Sequence, residues 1–134
     1  MAERRPGAVL DTNVFIDLAT MDRTSFPDVC ALTTITLAEL QHGIVVAKDA
    51  ADRDVRTKRL GTAIAGYDPL PFDRRAAARY GSLIGLTLAA NRDPRSRKFD
   101  LMIAAIASCH DLPLYTRNPK DFVGLESLVE VIEV

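Results

Sequence analysis

Short apolar runs separated by longer stretches with helical spacing constrain this chain more than any other feature. Ala8-Val9-Leu10, Val29 to Thr34 and Leu114-Tyr115-Thr116 read as buried strands, and Val129 to Val134 as a last strand with period-two alternation. Between them lie helical patterns. Val14, Phe15, Ile16 and Leu18 give a turn or two, and longer helices are predicted over about 37–48, 51–65, 74–90 and 99–109. Asp73 is placed to cap the third of these long helices, along which Ala77, Tyr80, Ile84 and Leu88 share a face. Pro71 keeps Leu70-Pro71-Phe72 extended. Strands alternating with helices imply an α/β fold of three layers, with a mostly parallel central sheet between helices. No repeat, linker or low-complexity tract divides the 134 residues, so one domain over 1–134 is expected.

Composition narrows the function classes. Hydrophobic residues at 48% and charged residues at 26% suit a globular core and exclude a disordered chain. Two cysteines, Cys30 and Cys109, are too few for a disulfide scaffold and point to a reducing, cytoplasmic setting. No apolar run approaches the roughly 18 residues of a membrane span. Met1-Ala-Glu-Arg-Arg leads into a short apolar stretch broken by Asp11 and Asp17, which speaks against a signal peptide. Net charge is only −1, but the basic residues are clustered. Arg53, Arg56, Lys58 and Arg59 form one run, and Arg74, Arg75 and Arg79 another; both read as solvated helix faces. Arg92, Arg95, Arg97 and Lys98 form a third, in a polar loop that leads to Asp100, and are read together with that acid as phosphate contacts.

Ligands of open α/β sheets bind beyond the carboxyl ends of the strands. Asp11 ends the first strand, Asn118 and Asp121 follow the strand at 114–116, and Glu39 and Asp100 occupy first turns of helices. Acids gathered on one rim repel one another and take up protons or a cation. An all-oxygen set suits Mg²⁺ or Mn²⁺. Each acid also has a plainer reading. Thr36-Leu-Ala-Glu39 matches a capping box, Asp11-Thr-Asn an Asx turn, Asp100 a helix-dipole residue and Asp121 a solvated turn. Asp17, Asp68 and Asp73 are assigned to surface or capping roles. No G-x-S-x-G turn and no Walker A or G-x-G-x-x-G loop is present, and the histidines are only His42 and His110. Cys109-His110 lacks zinc-site spacing.

Four segments taken together resemble the PIN-domain ribonucleases, and among them the VapC-type toxins. They are Val9-Leu10-Asp11-Thr12-Asn13, Thr36-Leu37-Ala38-Glu39-Leu40 with Gly43, Phe99 to Ala105, and Leu114 to Phe122. The resemblance implies an Mg²⁺- or Mn²⁺-dependent endoribonuclease, usually a homodimer, held inactive by a cognate antitoxin. By position, it implies Asp11 and Asp100 as principal metal ligands, Glu39 as a third acid, and Thr12 and Thr116 as hydroxyls orienting the acids. Many relatives have Asp where this chain has Asn118, which leaves Asp121 as the charged candidate for the fourth place. Phe15, Ile16, Leu40, Ile44 and Val45 are the apolar residues expected to receive the antitoxin. Two alternatives remain: a catalytically silent PIN-like module that binds RNA or protein, and a metal-dependent phosphatase. Asp11-Thr-Asn13 is similar to the D-x-D start of haloacid-dehalogenase-type phosphatases, but Asn13 stands in place of their second acid.

Overall fold

The computed structural model describes residues 5–134; the start of the chain, Met1 to Arg4, lies outside the described residues. Strand β1 (Ala8–Leu10) leads into helix α1 (Thr12–Asp17), and β2 (Cys30–Ala31) into α2 (Thr34–Val45). Helices α3 (Ala50–Gly66), α4 (Arg74–Ala89) and α5 (Lys98–Cys109) follow, then β3 (Leu114–Thr116) and β4 (Val131–Glu133). The four strands run in the order β2-β1-β3-β4, and every pairing is parallel. Leu70 extends the sheet by a single parallel bridge to Thr33.

Strands this short hold together because both faces are covered. Val9, Ala31 and Leu114 point into a core with Leu83 of α4 and Leu101, Ala104 and Ala105 of α5. Leu10 and Leu32 point the other way, against Val14, Phe15, Leu40, Leu60 and Ala63. The three expected layers are therefore present. Phe15 and Leu40, expected as antitoxin contacts, belong to this second core; Ile16 and Val45 are exposed.

Boundaries move where side chains override periodicity. The strand expected over 29–34 ends at Ala31, and α2 begins at Thr34 rather than Leu37 because Thr33 Oγ1 accepts the Thr36 N–H at 3.2 Å. The last strand loses Val129, which packs into the core ahead of β4. Asp73 caps α4 as expected, its side chain accepting from Ala76 N–H at 3.0 Å.

The first two basic runs are only partly solvated faces. Arg56 Nη1 donates to Gly43 O at 2.8 Å, clasping the last turn of α2 to α3, and Arg75 Nη2 donates to Cys109 O at 2.9 Å at the end of α5. Helix ends leave carbonyls without intrahelical partners, and a long guanidinium stem reaches them from a neighbouring helix.

The turn Pro119–Phe122, which carries Asp121, is held against α4 by Phe122 and by Gly124. Gly124 has φ of +94°, and a Cβ there would stand 2.9 Å from Ala90 Cβ. Gly124→Ala is expected to cost about 1–3 kcal/mol through backbone strain and crowding, read as a lower urea midpoint. An unchanged midpoint would show that the turn relaxes freely.

Candidate active site

The sheet order reverses direction between β1 and β3, since the chain leaves β1 for β2 on one side and returns to β3 on the other. Such a switch point opens a crevice at the carboxyl ends of the two strands. Asp11 stands there. Its N–H donates to Tyr115 O at 2.9 Å, which fixes the end of β1 against β3. As the N-cap of α1, its Oδ1 accepts from Thr12 N–H at 2.9 Å, while Oδ2 accepts from Thr116 Oγ1 at 2.9 Å. Thr116 Oγ1 in turn accepts the Asn118 N–H at 3.0 Å. Asn118 thus contributes through its backbone, while its residue as a whole is exposed.

The capping-box reading of Thr36 and Glu39 is overturned. Thr33 caps α2, which frees the Thr36 side chain to point at α1. Thr36 Oγ1 lies 2.9 Å from Thr12 Oγ1, and Thr12 Oγ1 donates to Glu39 Oε1 at 2.8 Å. A hydroxyl carries one proton, so with Thr12 giving its own to Glu39, Thr36 is the donor to Thr12. A relay from Thr36 through Thr12 to Glu39 therefore ties α1 to α2. Thr36 as a hydroxyl partner was missed by the sequence reading, and only its place among Thr33, Thr34 and Thr36 hinted at it.

Thr12→Val keeps the shape and removes the relay, leaving the wholly buried Thr36 hydroxyl without its acceptor. A loss of about 1–3 kcal/mol is expected, measured as a shifted urea midpoint at constant m-value. Thr12→Ser should recover most of it. Equal losses in both variants would assign the effect to packing instead.

The electrostatics bring the acids together. Burial raises the Asp11 carboxyl above its ordinary value, against the hydroxyl of Thr116 and the N–H of Thr12, with the charge of Asp121 pushing the same way. Glu39 is also raised, by burial first and by the Asp11 charge, while the Thr12 hydroxyl opposes. Asp100, in the first turn of α5, is pushed up to about 7 by burial and then by the charges of Asp11, Asp121 and Glu39, with Arg97 opposing. Asp11, Glu39, Asp100 and Asp121 thus share one field. Among the described residues, no three acidic, histidine or cysteine side chains stand close enough to cage a cation unaided.

The basic loop is more occupied with itself than its composition suggests. It forms a turn of 3₁₀ helix, Pro94–Arg97, capped by Asp93 through Arg95 N–H at 2.9 Å. Arg95 pairs with Asp93 at 3.1 Å, and Arg97 Nη1 donates to Asp93 O at 3.2 Å. Arg97 Nε is buried without a partner among the described residues. Arg92 Nη1 donates to Lys120 O, linking this loop to the turn of Asp121. Arg92 thus ties two site loops together through one of its guanidinium nitrogens. Lys98 is exposed, and a cleft of about 440 Å³ runs from Glu39 along Arg95 to Asp100. Arg117, next to Thr116, pairs with Asp17 at 2.8 Å and joins β3 to α1. Cys30 and Cys109 are unpaired thiols, partly buried rather than in the core.

A three-layer α/β domain with four acids at its switch point is what a carboxylate-based hydrolase of this topology presents. No family model matches the chain. It is 37% identical over 141 residues, across the whole of both chains, to Ribonuclease VapC5 of Mycobacterium tuberculosis. Among solved structures it resembles VapBC-5 of the same organism, a member of the VapBC family of toxin-antitoxin systems. The TM-score is 0.81 at 35% identity, covering 96% of this chain and 98% of that one. FitAcB from Neisseria gonorrhoeae superimposes with a TM-score of 0.72 at 25% identity, over 93% and 96% of the two chains. VapBC-1 of nontypeable Haemophilus influenzae, at 21% identity and a TM-score of 0.74 over 94% and 96%, shares the fold. This chain belongs to the VapC family of PIN-domain ribonuclease toxins. Among the described residues no helix is long and apolar enough to cross a membrane.

Proposed function

We propose that this protein is the toxin of a toxin–antitoxin pair and an endoribonuclease that needs Mg²⁺ or Mn²⁺. The observation that carries the reading is the gathering of Asp11, Glu39, Asp100 and Asp121, where burial first and mutual repulsion second raise the first three acids and push Asp100 up to about 7. Buried carboxylates that resist ionisation are stabilised by a cation, and a hydrated Mg²⁺ asks for only one or two of them. Asp11 and Asp100 would hold the ion, with Glu39 and Asp121 around it. When bound, the ion would neutralise charge on the scissile phosphate and acidify the attacking water.

The chain's own groups supply the rest. Thr116 and the Thr12 N–H fix both oxygens of Asp11, so that carboxylate is aimed before any ligand arrives. Thr12 engages Glu39 Oε1 and leaves Oε2 to take a proton from water. Lys98, with Arg95 and Arg97 in the same turn, borders the cleft where the neighbouring RNA phosphates would lie. A phosphatase of the D-x-D type finds no second acid at Asn13, whose side-chain oxygen is buried without a hydrogen-bond partner among the described residues.

The relatives named as VapBC assemblies supply the partner: a cognate antitoxin. Its inhibitory segment would cross the groove between α1 and α3, where Ile16, Val55 and Arg59 line two adjoining hollows beside Thr12 and Glu39. A homodimer is the expected assembly. Purified protein should cleave RNA with millimolar Mn²⁺ and stop when EDTA is added. Antitoxin encoded beside it should suppress both the cleavage and the growth arrest. Tight RNA binding without metal-dependent cleavage would favour the silent module instead.

A further inference from the structure

Phe99 is 56% exposed, although Phe15, Phe26 and Phe122 are each at or below 9%. Its neighbour in the chain is Asp100. The ring borders two hollows at once. One is the cleft that runs from Glu39 along Arg95 to Asp100; the other, of about 180 Å³, is walled by Ala38, Glu39, His42 and Phe99. Ala38 and His42 are four residues apart on α2 and so share a face, which places an imidazole across from the phenyl ring. Glu39 belongs to both hollows and marks where they meet.

We infer that this small hollow is a base-stacking subsite, in which an unpaired nucleobase beside the scissile phosphate lies on Phe99 with His42 at its edge. The inference rests on the ribonuclease reading. Its occupant follows from what surrounds it. Cations of the 95–98 turn on one side suit a phosphate backbone, acids at the centre suit the reacting phosphate, and an exposed aromatic face suits a base. A base within a duplex is already stacked and cannot reach the ring without being flipped out. The subsite therefore directs cleavage to single-stranded loops and ends, and does so by stacking rather than by reading a long sequence.

The chain contains no tryptophan, so Phe99→Trp installs a single indole reporter at the subsite. In EDTA, which prevents metal-dependent cleavage, the variant would be titrated with a single-stranded ten-nucleotide oligoadenylate, an abasic strand of equal length, and an RNA duplex. Quenching by oligoadenylate alone is expected. By anisotropy with labelled strands, Phe99→Ala should weaken oligoadenylate binding roughly tenfold to a hundredfold and leave the abasic strand unaffected. Phe99→Tyr should retain affinity and Phe99→Leu should not, which separates stacking from apolar contact. Unchanged affinity in Phe99→Ala, rescue by Leu, equal quenching by the abasic strand, or no binding of oligoadenylate would each overturn the subsite. Mn²⁺-dependent cleavage by the unmodified chain is read separately. If it persists while Phe99→Ala binds normally, only the subsite falls; if stacking is present and cleavage absent, only the nuclease reading falls.

Discussion

Asp100→Asn is expected to lower Mn²⁺- or Mg²⁺-dependent cleavage of RNA by more than about a hundredfold, beyond the 10- to 100-fold typical of losing an outer-shell partner. The protein should remain folded. Asp100 sits in the first turn of α5, is only partly buried and anchors no side-chain hydrogen bond among the described residues, so the isosteric amide opens no cavity. It removes a charge that Asp11, Asp121 and Glu39 all oppose. Circular dichroism and a cooperative melt would establish the fold, and single-turnover cleavage the effect. A folded variant that cuts at the parental rate would remove Asp100 from the metal site, and with it the main support for the proposed chemistry.

The same carboxyl predicts how stability depends on pH when no divalent ion is present. In the native protein Asp100 keeps its proton up to about pH 7, whereas the unfolded chain releases it near the ordinary value of 3.8. Across that window the native state binds the extra proton, so stability falls as pH rises and levels off above about 7. Asp11 and Glu39 are raised as well and act in the same direction. In EDTA at pH 8 the melting temperature should lie below its value at pH 5.5, and Asp100→Asn should raise it by several degrees at pH 8 while changing little at low pH. Millimolar Mn²⁺ should recover the loss in the parent and much less in Asp11→Asn, because the ion binds the folded state alone and needs ionised ligands. A parent more stable at pH 8 than at pH 5.5 in EDTA, or equal Mn²⁺ responses in both proteins, would show that the acids do not repel one another in the folded chain.

The amino-acid sequence by itself determined the layers. Buried strands at 8–10 and 114–116, an apolar α5 and the Asp73 cap follow from local period and side-chain chemistry, and the structure has each of them. It also placed Asp11 at a strand end and Asp100 in a first helical turn, which in an α/β sheet brings them to one edge. Glu39, expected in a first turn, lies in the second turn of α2 because that helix begins at Thr34. Tertiary structure alone decided which further hydroxyl joins Thr12 and Thr116 at that edge and where the cations go. Thr36 reads locally as a helix cap, yet Thr33 takes that place and Thr36 turns to Thr12, twenty-four residues away in the chain. Arg92 reads as a free cation, yet one of its guanidinium nitrogens goes to Lys120 O; Arg56 and Arg75 read as solvated, yet each closes the end of another helix. Asn118 and Asp121 were inseparable by spacing, and they part because Asn118 offers its N–H to Thr116 while the charge of Asp121 reaches Asp11 and Asp100. The physical reason is common to these cases. Periodicity and capping reflect the backbone within a turn or two, whereas a hydroxyl or guanidinium goes to whichever unpaired acceptor the packed chain brings within about 3 Å, and that acceptor lies on another element.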